Sequence, residues 1–108
     1  MEEGKQENLL VQVKAAIESE TVPKIYANGF INSYGAADVV LVLQQNGQNM
    51  IVVNMSYTTA KTLSEKLSNL IKKFEQSTGH EIMSIDTVKA RLEQQKQEGK
   101  DKENAILQ

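Results

Sequence analysis

A chain of 108 residues with a net charge of -2 is one domain long, and it lacks the basic excess with which nucleic-acid binders neutralise phosphates. It has no cysteine and no tryptophan, which excludes disulfides, thiolate nucleophiles and zinc–thiolate sites and leaves an aliphatic core. Hydrophobic residues at 40% against 24% charged place it among globular domains rather than disordered chains.

Residues 1–21 form an N-terminal arm that reads as a helix or an extra strand. Leu10, Val13 and Ile17 recur at helical spacing and Lys14-Ala15-Ala16 favours a helix, whereas Leu9, Val11, Val13 and Ala15 alternate with polar residues. Met1 to Asn8 is polar and acidic, without the basic and apolar regions of a signal peptide. The longest apolar run, Val39 to Leu43, is far too short to cross a bilayer. The expected setting is therefore cytoplasmic, away from membranes, and the Asn54-Met55-Ser56 sequon has no export route to make it meaningful.

Residues 22–80 read as a sheet followed by a helix. Pro23 closes the arm, because the residue before proline is pushed out of the helical region. Strand-like runs follow over Lys24–Asn32, Asp38–Gln45 and Asn49–Met55. Ser33 to Ala36 supplies the first turn, and the mid-strand glycine of Asn28-Gly29 marks a bulge or a close backbone approach. Asn46-Gly47 supplies the second as a two-residue type I′ turn, which requires positive φ at both central residues. Short consecutive connections imply an antiparallel meander.

From Ser56 to Gln76 the spacing predicts a long amphipathic helix. Ser56 or Thr58 can cap its start, and Gly79 ends it. Ala60, Leu63, Leu67, Leu70, Ile71 and Phe74 make one apolar stripe. Residues 81–98 hold a shorter second helix over Ile85–Gln97, capped by Ser84 or Asp86, and residues 99–108 read as a mobile polar tail. The fold class is thus α+β: a three-stranded antiparallel meander, a long helix, a short C-terminal helix and the N-terminal arm.

A sheet backed on one side only alternates apolar and polar residues. These strands do not: Val39, Leu41 and Leu43 oppose Val40 and Val42, and Ile51, Val53 and Met55 oppose Met50 and Val52. In the first run, Ile25, Ala27 and Ile31 oppose Tyr26, Phe30 and Tyr34. One helix covers one face, so the other must meet a terminal helix or another copy of the chain. The candidate oligomer or partner interface comprises Tyr26, Phe30, Tyr34, Val40, Val42, Met50 and Val52.

Groups able to do chemistry are sparse. His80 is the only histidine, and beside a helix C-terminus it suits the dipole when protonated. A metal set from Glu75, His80, Glu81 and Asp86 has no spacing that places it on one helical face. Neither a nucleotide-binding glycine loop nor a G-x-S-x-G elbow occurs. Asp38 reads as a turn-satisfying side chain. The alternating Tyr26, Phe30 and Tyr34 lack the accompanying Lys or Arg of an RNA-stacking platform. No catalytic, cofactor-binding or metal residue is assigned, and the chain is not expected to be an enzyme.

Ile25-Tyr26-Ala27-Asn28, Ser33-Tyr34-Gly35-Ala36-Ala37-Asp38, Ile51 to Ser56, and Ala60-Lys61-x-Leu63 with Leu67, Ile71, Phe74-Glu75 and Gly79 resemble a domain-of-unknown-function family of small bacterial and archaeal proteins. The likeness spans residues 24–80 and departs near Asp38, where Ala36-Ala37 and Val39 replace a proline or second aromatic. It implies the meander-plus-helix fold and a bacterial, archaeal or phage origin, and carries over no functional residue. At the level of fold alone, the plan is similar to the bacterial export chaperone SecB. Together these readings lead to a non-catalytic homo-oligomeric interaction protein, an adaptor or chaperone-like module with an unidentified protein partner. The alternatives are a small-ligand-binding domain with its pocket beside the aromatic stripe, and an enzyme using His80 and nearby carboxylates.

Overall fold

A computed structural model describes the backbone of residues 2–107 and the side chains of residues 8–104; Met1 and Gln108, the ends of the expected arm and tail, lie outside it. The order is α1 (Glu2–Glu18), β1 (Gly29–Tyr34), β2 (Asp38–Gln45), β3 (Gln48–Ser56), α2 (Tyr57–Thr78) and α3 (Ile85–Leu107). This is the expected α+β class, with the strands in one antiparallel sheet of order β1-β2-β3. The chain divides into two units, Met1–Ala60 and Lys61–Gln108.

In the first unit the arm is a helix. Its good helix formers include Lys14, whose ammonium lies 3.9 Å from Glu18 one turn on. Just past its end, the Lys24 ammonium donates to the carbonyls of Ser19 and, at 3.0 Å, Val22. A cation at a helix C-terminus suits the negative end of the dipole.

The sheet begins later than the sequence predicts. Residues 24–27 carry no strand, and β1 starts at Gly29 rather than Lys24. The reason lies in the neighbouring strand. Gly29 pairs with Gln44, and β2 ends at Gln45 where the chain turns, so residues 24–27 have no ladder partner. Strand β1 instead runs on to Tyr34, opposite Val39, which places Tyr34 in the strand and not in the turn. The Gly35 amide donates to the Asp38 carbonyl at 2.9 Å to close that connection.

The hairpin between β2 and β3 has the predicted turn, with φ of 52° at Asn46 and 81° at Gly47. Asn28 braces it. Its amide nitrogen donates to Asn46 Oδ1 at 2.8 Å, and its Oδ1 accepts the Asn46 backbone N–H at 2.8 Å. Asn28-Gly29 is therefore the brace at the strand's start, not a mid-strand bulge. The irregularity sits across the sheet: Leu43 pairs with Ile51 but Gln44 with Asn49, leaving Met50 as the extra residue.

Helix α2 starts and stops as expected. Ser56 Oγ accepts the Thr59 N–H at 3.1 Å, the N-cap geometry, and the Tyr57 hydroxyl donates to the Gly35 carbonyl of the β1–β2 connection. At the far end Gly79 adopts φ of 72° and donates to the Glu75 carbonyl at 2.9 Å.

In the second unit the link to α3 is tied by Glu75, whose Oε2 accepts the Ile82 N–H at 2.8 Å. Ser84 caps α3 by accepting the Thr87 N–H at 3.2 Å. The helix does not stop at Gln97. It continues through Gly99 and the Lys100–Asn104 run, read from sequence as a tail, to Leu107. Lys, Glu and Gln are good helix formers, and a single glycine costs only about 1 kcal/mol, which the surrounding turns outweigh. A Gln97 to Asp101 side-chain bond of 3.3 Å spans the glycine.

Candidate interaction surface

Cross-strand partners share a face, so the register sorts the sheet's side chains. On one face, here face A, Phe30 stands opposite Leu43, Asn32 opposite Leu41 and Tyr34 opposite Val39; these meet Ile51, Val53 and Met55 on the far side. Apart from Asn32 the face is entirely apolar. On face B, Ile31 and Ser33 stand opposite Val42 and Val40, which meet Val52 and Asn54. Gln44 and Asn49 close one end of face B through a 2.8 Å amide bond, and Asp38 and Ser56 close the other. Face B thus has an aliphatic centre with a polar border. The two faces are unequal, where the sequence alone makes both look greasy.

The expected interface residues divide between these surfaces. Phe30 and Tyr34 lie on face A, with 60% and 82% of their surface exposed. Val40, Val42 and Val52 lie on face B. Met50 occupies the bulge, and Tyr26 precedes the sheet at 70% exposure, outside the aromatic row it was expected to join. Val39, Leu41, Leu43, Ile51, Val53 and Met55, absent from the expected set, complete face A. Their grouping with Phe30 and Tyr34 depends on the shift at Met50. A regular two-residue hairpin would set Leu43 opposite Met50, and slipping one residue moves every later β3 side chain to the other face. Nothing local in Gln48-Asn49-Met50 announces that slip.

No described residue is buried. Val39 to Gln45 are half-buried, the shielding that two flanking strands give a central one, whereas Phe30, Tyr34 and Val52 stay open. The predicted stripe on α2 forms, and Leu63, Leu67, Leu70, Ile71 and Phe74 along it are all exposed. So are Leu9, Leu10, Val13 and Ile17 on one side of α1. Bringing the face A side chains out of water is worth on the order of 10 kcal/mol at roughly 25 cal/mol per Å². That equals the whole stability of an ordinary domain, about 5–15 kcal/mol.

The chemically capable groups do not assemble. His80 is exposed, with its backbone N–H 3.4 Å from Thr78 Oγ1. Glu75 is held by the Ile82 amide, and Asp86 lies in the first turn of α3. Among the described residues no three His, Asp or Glu side chains are placed to hold a metal ion. Shallow open grooves lie beside Glu81–Ser84, Thr87 and Arg91, and around Glu75, Gly79 and His80. No described helix is long and apolar enough to cross a membrane. Comparison with family models, curated proteins and solved structures finds no match.

Proposed function

We propose that the chain is a non-catalytic, homo-oligomeric interaction protein, an adaptor or chaperone-like module that works through apolar sheet surface. The observation that supports this is face A: Phe30, Tyr34, Val39, Leu41, Leu43, Ile51, Val53 and Met55 gathered on one side of a sheet with no buried residue in it. Apolar surface of this continuity on a small protein marks an interaction site or an aggregation hazard. Association with a second copy answers both. The proposed kinship with the small uncharacterised bacterial and archaeal family belongs to the same reading. So does a cytoplasmic setting, where a cysteine-free chain forgoes no disulfide.

Light scattering on the full chain at micromolar concentration tests the reading. The expected mass is at least twice the 12.0 kDa of one chain. A Phe30→Asp/Tyr34→Asp variant, which charges face A at two open positions, is expected to lower that mass. A wild-type mass of one chain, with native helix and strand signals intact, would end the proposal.

A further inference from the structure

The sheet has two edges, and one is unguarded. Natural edge strands are kept from pairing by charges, prolines, bulges, short length or covering segments. Strand β3 hydrogen-bonds β2 along one side only, runs for nine residues and contains neither a charge nor a proline; its bulge at Met50 lies near the turn and leaves residues 51–56 regular. Asp38, on β2, is the sole charged residue between Ile25 and Ala60. The opposite edge, β1, is six residues long and is approached through Pro23-Lys24.

We infer that β3 pairs antiparallel with β3 of a second copy across a two-fold axis at Val53, joining two three-stranded sheets into one of six strands. This rests on the oligomeric reading above and adds an edge contact to it, one that extends face A and leaves it open for a further copy to cover. A two-fold normal to a sheet sets residue 53−k of one copy against 53+k of the other. Val53 then faces Val53, and Ile51 faces Met55, so face A continues across the axis without a polar interruption. Val52 meets Asn54 on face B. Moving the axis to Asn54 sets asparagine against asparagine and strands Ile51 beyond the sheet. Moving it to Val52 brings the bulge residue Met50 inward, from the end of the ladder opposite Ser56 to a place opposite Asn54. On β1 the two-fold falls either at Asn32, setting asparagine against asparagine, or at Ile31, setting Phe30 against Asn32, and each puts an amide at the seam of face A. Three strands are the minimum for an independent sheet, and sheets more commonly hold about four to six.

The chain's lack of cysteine makes the test direct. Facing residues in an antiparallel pair have Cα atoms about 4.5–5.5 Å apart, inside disulfide range. Under mild oxidation Val53→Cys is expected to convert to a covalent dimer, while Asn32→Cys on the other edge stays single. A charge pair supplies a second readout. V52K/N54K sets introduced lysines against each other across the axis and is expected to lose the dimer. V52K/N54E alters the same positions but sets lysine against glutamate, and is expected to keep it. If wild type is dimeric yet Val53→Cys does not cross-link, or both double variants associate equally, the edge is not the interface, although the oligomeric reading stands. A monomeric wild type removes both. Cross-linking by Asn32→Cys in place of Val53→Cys would overturn the choice of edge.

Discussion

Single side chains fix where elements begin and turn. Ser56 Oγ on the Thr59 N–H satisfies one orphan donor of α2, so Ser56→Ala is expected to cost about 1 kcal/mol. Urea denaturation of the two proteins measures it. Gly47 sits at φ of 81° with open space where a Cβ would go, so the cost of Gly47→Ala is backbone strain rather than collision, roughly 1 kcal/mol. The same denaturation series should rank it with the cap. Both positions are legible in sequence, because a serine before an amphipathic run and Asn-Gly between apolar runs each have a local cause. The Asn28–Asn46 bracket is not, since it joins residues eighteen apart through side chains whose meeting depends on the finished sheet.

Whole elements show where local signals lose to neighbours. The apolar stripe of α2 has an unambiguous helical period, and the structure keeps it from Tyr57 to Thr78. The alternation from Lys24 onward is as strand-like as that of Gly29–Tyr34, yet only the latter pairs, because the partner strand has already turned at Asn46. A strand needs a ladder; a helix carries its own. That also explains why α3 outruns its expected end, since Lys100–Asn104 needs no apolar partner to stay helical. If the stripe on α2 is interface, Leu67→Ser should lower the melting temperature of the associated protein by several degrees. Lys72→Ser, off the stripe, should lie within about 0.5 kcal/mol of wild type. Scanning calorimetry of the pair at one protein concentration checks this. Equal effects would assign the stripe no partner.

Across the molecule, the composition calls for an aliphatic core and the described residues contain no buried one. Hydrophobic patterning names the side chains that belong in a core. It does not say which chain supplies the other half. The candidate surface is therefore half legible: alternation puts Phe30 and Tyr34 on one face, but their companions on face A follow only from the register set by the bulge at Met50. The central claim is that burial is completed between copies, and mass action tests it most directly. An associating protein gains apparent stability with concentration, because association draws on the folded state alone. Melting temperature measured from sub-micromolar to hundreds of micromolar chain is expected to rise steadily with concentration. A sharp, cooperative transition whose midpoint is the same throughout that range would contradict the account.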